Sequence, residues 1–362
     1  MLGSPSIWLL PFITIGASAA TAVQTPSSSP TPSATASPPP RPIPRPSPHV
    51  HVSYPTPVGP ESAARLQQVA EDLSSPDPAV RADAVRRLGH AVNLDAVAVG
   101  GHLIRALADN DAAVREQAAE GLGHAGATVQ VVQGLITAFG DPVAAVRRAA
   151  AAALGDLGPG AASAGNALAA LVKDEDATVR QAAAAALGKV GATSPEVLDA
   201  LSSALRNKDD SALRGRAARA LGQPRHGSAA LTILLAAMDD ADAAVRREVV
   251  QAIGAMPATH AAHMEPPLRR VVASDPEASV RIEALHALVK LGAAGVAGLG
   301  KALADSDRLV RWWATIHLKE LGGAARAAVP DLERVAGSDT EEWIRASAQR
   351  ALDAVRANRD VN

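Results

Sequence analysis

The chain has 362 residues, no cysteine, a formal net charge of −2, a hydrophobic fraction of 48% led by alanine, and only 2% aromatic residues. The missing cysteines exclude disulfides, thiolate metal sites, thiol nucleophiles and lipoprotein attachment. Beyond residue 60 there are 33 basic and 37 acidic side chains, a balance of −4 that argues against a general basic field for nucleic acid.

Residues 7–20 form a short apolar run, and small-residue patterns follow at Ala17-Ser18-Ala19 and Ala20-Thr21-Ala22. This is the layout of a secretory signal peptide over residues 1–22, too short for a comfortable membrane span, although no Lys or Arg precedes the run. An uncleaved anchor and an untargeted tail are the other readings. Export, to the periplasm, the cell surface or the medium, is the working expectation.

Residues 23–60 hold thirteen prolines among Ser and Thr, with Arg41 and Arg45 the only formal charges. Proline removes amide donors and holds φ near −65°, so this stretch reads as a disordered, extended, semi-stiff linker. A proline-motif ligand around Pro38–Pro48 is the second reading, and the Ser/Thr/Pro mixture suits O-linked sugar.

From residue 61 to the end an arginine returns every 30 to 35 residues: Arg81, Arg115, Arg147, Arg180, Arg214, Arg246, Arg281, Arg311 and Arg345. Val, Leu or Ile precedes each, Ala or Val follows at plus three, and Leu or Ile at plus seven. That spacing marks one apolar helix face, while plus one, plus two and plus five are mostly polar and read as outward. In six units a glycine follows the plus-seven residue (Gly89, Gly123, Gly155, Gly188, Gly222 and Gly254), which reads as a helix end needing φ > 0. Val289, Lys319 and Asp353 replace it in the last three units, so those helix ends are expected to differ.

Asp77, Asp111, Asp176, Asp210, Asp242 and Asp307 stand four residues before the arginine, placed to cap the helix. Asp141-Pro142 and Asp275-Pro276 read as the same start shifted two residues earlier. A second apolar helix precedes each turn, as in Leu94–Ala108, Ser194–Leu205 and Ser228–Met238. Nine helix–turn–helix units make an all-α solenoid of eighteen helices, because self-similarity at this period signals stacked helical hairpins.

The recurring D-x-D-x-x-V-R-x-x-A-x-x-x-L-G frame, as in Asp174 to Ala183, resembles the HEAT repeats of the phycobilisome-lyase type across about 300 residues. The resemblance implies an armadillo-type superhelix in which the arginine joins an Asp six residues before it in a ladder through the turns. Those aspartates are Asp109, Asp141, Asp174, Asp240, Asp275, Asp305 and Asp339, and Ser75 and Lys208 break the pattern. The nine arginines are therefore read as structural, setting register between repeats.

Chemistry is scarce. No histidine is followed by Glu, as the di-iron hydroxylase branch of such proteins requires. Nothing specifies the tetrapyrrole pocket of the bilin lyases, and the charge balance does not suit the alkyl-purine glycosylase branch. His49 and His51, and His260 and His263 with Glu265, are too sparse for zinc and read as surface residues; His90 and His124 read as carbonyl caps. No catalytic residue, metal or cofactor is expected.

Beyond Trp8, the tryptophans are Trp312, Trp313 and Trp343, all in the last two units. Trp312, Trp313 and Ile316 take the plus-one, plus-two and plus-five columns; Ile282 and His286 take equivalent columns one unit earlier. On a HEAT-type second helix these columns would line the concave surface, and stacked helices ~8–10 Å apart would join them into one patch. Two readings stand: packing that caps the terminal flank, and a partner-binding hot spot. The expected function is non-enzymatic recognition of a protein or peptide by a monomer, with no nucleic acid and no membrane span in the mature chain. The alternatives are a structural or elastic spacer and, behind it, an enzyme or lyase-like subunit.

Overall fold

The computed structural model describes residues 60–89 and 96–357. The signal peptide, the proline-rich linker before residue 60, His49, His51 and His90 lie outside the described residues.

The described chain forms nine helical hairpins. The first four are α1 (Pro60–Asp72) and α2 (Pro78–Gly89), α3 (Ala96–Ala106) and α4 (Ala112–Leu122), α5 (Val129–Thr137) and α6 (Ala144–Asp156), and α7 (Gly165–Leu171) and α8 (Ala177–Val190). Then come α9 (Pro195–Leu205) and α10 (Ser211–Leu221), α11 (Gly227–Leu235) and α12 (Ala243–Gly254), and α13 (Ala261–Ser274) and α14 (Ala278–Val289). The last two are α15 (Val296–Ala302) with α16 (Arg308–Leu321), and α17 (Val329–Ser338) with α18 (Glu342–Ala357). The even-numbered helices carry the arginine frame and pack side by side as one layer, with the odd-numbered helices behind them.

Alanine has the highest helix propensity, and the second helices are rich in it. The periodic face closes the core: Val114, Ala118 and Leu122 are fully buried, as are Val179, Ala183 and Leu187. Each buried leucine contributes roughly 2 kcal/mol by leaving water. Val80 in the first repeat is instead exposed.

Asp111, Asp176, Asp210, Asp242 and Asp307 accept backbone N–H bonds at the starts of their helices. Asp141 and Asp275 do not shift the helix start. Helices α6 and α14 begin at Ala144 and Ala278, three residues before the arginine as α4 does, and have no side-chain cap. The two aspartates are occupied by the ladder instead.

In the ladder, each arginine reaches forward to the next repeat. The pairs are Arg81–Asp109, Arg115–Asp141, Arg147–Asp174, Arg214–Asp240, Arg246–Asp275, Arg281–Asp305 and Arg311–Asp339. Nε donates to Oδ2 at 2.6–2.8 Å and Nη2 to Oδ1 at 2.8–3.1 Å. Nη1 turns back to carbonyls of its own turn, for Arg147 those of Asp141 and Pro142. One guanidinium thereby ties two consecutive turns, and the fork geometry of arginine suits the task. Arg345 has only the turn behind it, donating to the carbonyls of Asp339 and Thr340.

The break in the fifth repeat lies one residue earlier than the spacing indicates. Arg214 Nη1 bonds the carbonyl of Asn207 at 2.9 Å, and Asn207 Oδ1 accepts from the amide of Asp209, as Asp109 does from Asp111. Asn207, not Lys208, therefore stands at the ladder position. Among the described residues Arg180 has no carboxylate there: Asp210 is 3.7 Å away, and the buried Arg180 Nε has no partner.

The glycines after the plus-seven residue also differ from expectation. Gly123 and Gly222 have φ of −59° and −65°, and none of the six is among the positive-φ glycines. Their service is close approach. A Cβ on Gly222 would stand 2.8 Å from the Cα and Cβ of Ala252, and one on Gly188 would stand 3.1 Å from the Cα of Ala220. The second helices thus touch backbone to backbone through a Gly of one repeat and a small residue of the next.

Candidate functional site

At the seam between α14 and α16 both small residues are gone. Val289 replaces the glycine, and His317 stands where earlier repeats place Gly121, Ala153, Ala186, Ala220, Ala252 and Ala287. Of the second-helix neighbours, α14 and α16 are the least closely apposed. Rings occupy this region. His286 meets Trp313 edge-on at 4.8 Å between centroids and His317 at 5.1 Å, and Trp313 stacks on His317 at 5.4 Å.

The cluster continues across the next seam. Trp312 lies 5.0 Å from Trp313 and 5.8 Å from Trp343. Five rings from three repeats therefore form one chain, with geometries that favour edge and offset contacts. Trp312, Trp313, Ile282, Ile316 and His286 are half-buried, whereas Trp343 is 39% exposed with Nε1 donating to Glu341 at 3.1 Å. Trp312, Trp313 and Ile282 pack partly against the core.

The plus-two column is mixed rather than uniformly outward, with Arg216 exposed. Ala149 and Ser347 are buried, and Ser347 lies with its hydroxyl 2.7 Å from that of Thr315, which donates to the Trp312 carbonyl. In the last units this column leans toward the preceding repeat, and Trp313 there meets His286. The residue that sequence reasoning missed is His317, 5% exposed, with Nδ1 3.0 Å from Glu320 and Nε2 without a partner among the described residues. Burial holds its imidazole below the ordinary histidine value, only partly offset by Glu320. The available signal was its column, which is Gly or Ala in the six preceding units.

Elsewhere His260 and His263 do not gather with Glu265, whose carboxylate is taken by Arg269 at 2.9 Å. Among the described residues no group of three His, Asp or Glu is placed to hold a metal ion. No helix among them is long and apolar enough to cross a membrane.

Six overlapping matches to the family model for HEAT repeats cover residues 63–155, 101–188, 132–222, 198–264, 231–299 and 265–353. The fold is similar to the crystal structure of an engineered protein (20% identity, TM-score 0.50), covering 80% of this chain and 88% of that one. It is also similar to importin β (16% identity, TM-score 0.56), covering 82% of this chain and 48% of importin β, so the chain spans about half of that protein's length. The search of curated proteins gives no match. With the matches spanning residues 63 to 353 of 362, the chain belongs to the HEAT-repeat family.

Proposed function

We propose that this solenoid is a non-enzymatic scaffold that recognises a protein or peptide along the face of its second helices. The supporting observation is the ring cluster of His286, Trp312, Trp313, His317 and Trp343, buried at His317, half-buried at His286, Trp312 and Trp313, and open at Trp343. Aromatic residues held rigidly by their neighbours and still reachable are the usual energetic centres of interfaces. The second helices are pressed together through glycine, and in a two-layer array the more closely spaced layer takes the inner, concave side of a curve. Export is part of the same proposal, with residues 1–22 removed and residues 23–60 as a spacer. N-terminal sequencing of the protein from its host tests this, a start after Ala19 or Ala22 being expected.

The partial burial of Trp312 and Trp313 against the core favours a second reading, in which they only fill the widened seam. Acrylamide quenching of tryptophan emission from residues 61–362 separates the two. Red-shifted, readily quenched emission that becomes protected on adding an isolated partner supports recognition, with loss of capture in Trp312→Ala/Trp313→Ala. Blue-shifted, protected emission from all three indoles assigns the cluster to packing and removes the proposed site.

A further inference from the structure

A second feature of the same face lies well away from the aromatic rings. A groove of about 390 Å³ runs across α6, α8 and α10 and is lined only by residues of these second helices. Its floor is Ala152, Gly155, Ala182, Ala185 and Ala186, and its rim carries Arg148, Lys189 and Arg216 with Thr178 and Gln181. No carboxylate lines it. The neighbouring groove over α2, α4 and α6 is different, with Glu120 and Asp156 among its lining residues.

The three cations are not equivalent. Arg148 is paired with Glu116 at 2.7 Å and Lys189 with Asp156 at 2.9 Å, each on the preceding repeat. Arg216 is exposed and forms no ion pair among the described residues. A floor of methyl groups under a positive rim leaves room for backbone and short side chains below and carboxylates above.

We propose that this groove binds an acidic, extended peptide segment, its Asp or Glu carboxylates meeting Arg216 first and sharing Arg148 and Lys189 with Glu116 and Asp156. Charge complementarity makes the assignment. One unpaired guanidinium beside two cations already paired, in a chain of net charge −2, suits a few side-chain carboxylates rather than a continuous polyanion. The proposal adds to the reading above without depending on the tryptophans, since the groove shares no residue with the ring cluster.

The test uses the full chain and a fluorescein-labelled short peptide alternating Glu and Gly, followed by anisotropy at low and high salt. Saturable binding is expected, weakened by salt because rim charges are screened beyond a Debye length of ~8–10 Å. Charge reversal by Arg216→Glu is expected to weaken binding at least about tenfold, and Arg216→Ala by less, with circular dichroism unchanged because Arg216 has no partner to lose. Trp312→Ala/Trp313→Ala is expected to bind the peptide as the unmodified chain does, so failure of the aromatic site does not obscure the result. Absence of saturable binding, equal binding by Arg216→Glu, or tighter binding of single-stranded DNA than of the peptide would each overturn the proposal.

Discussion

Arg147 and Asp174 meet in a two-pronged bond, Nε to Oδ2 and Nη2 to Oδ1, both at 2.8 Å, although they belong to different repeats. Arg147 is only 7% exposed, and Asp174 also accepts the amide of Asp176 at 2.9 Å. Asp174→Ala removes both of these acceptors and leaves Nε of a nearly buried guanidinium without its partner. A loss of about 2–3 kcal/mol is expected, because bonds to charged groups in such sites are worth that much. Urea unfolding measures it, and a change within error would show the ladder to be ornamental in this repeat.

Asn207 offers the opposite experiment. It holds the ladder position opposite Arg180 but presents an amide, and Arg180 Nε is buried without a partner among the described residues. Asn207→Asp changes one atom's chemistry and supplies the missing carboxylate. A gain of about 1 kcal/mol in unfolding free energy is expected. Lys208→Asp, one residue out of register, is expected to give less. Equal effects of the two would refute the register derived from the Arg214 bonds.

Gly222 separates two roles for glycine by the sign of one measurement. At φ of −65° an alanine meets no backbone strain, and helix propensity alone would make Gly222→Ala stabilising by up to ~1 kcal/mol. The new Cβ would, however, lie 2.8 Å from Ala252. Overpacking at such a seam costs typically ~1–3 kcal/mol, so destabilisation is expected. A higher melting temperature would mean that the helices part without cost.

Acid is expected to dismantle the ladder before base does. The Arg81 bond holds the Asp109 carboxyl below its usual range, and the Arg311 bond does the same for Asp339. Burial pushes the Asp141 and Asp174 carboxyls up, but their arginine and backbone bonds outweigh it and leave both lowered. A carboxyl whose folded pKa is depressed stabilises the fold above the unfolded value of about 3.9, and that contribution is lost as pH falls through the folded value. Thermal midpoints should therefore hold steady with respect to these groups well above pH 4 and drop steeply below it. Asp174→Asn should flatten the drop. An unaltered acid profile in that variant would contradict the linkage.

The arginine period, the apolar column at plus seven and the aspartates around the turns were enough to place nine hairpins, and the resemblance to HEAT repeats pointed to the aspartates of the ladder. These features are legible because a helix repeats its faces every 3.6 residues and a solenoid repeats its units along the chain. The structure decided which residues meet across the repeats. Gly222 is small to let α12 come close rather than to turn the chain, Trp313 is half-buried against His286 rather than fully outward, and Asn207 rather than Lys208 carries the turn. Contacts between repeats depend on helix spacing, rotation and turn register. Those are properties of the packed array, and the periodicity of one helix does not contain them.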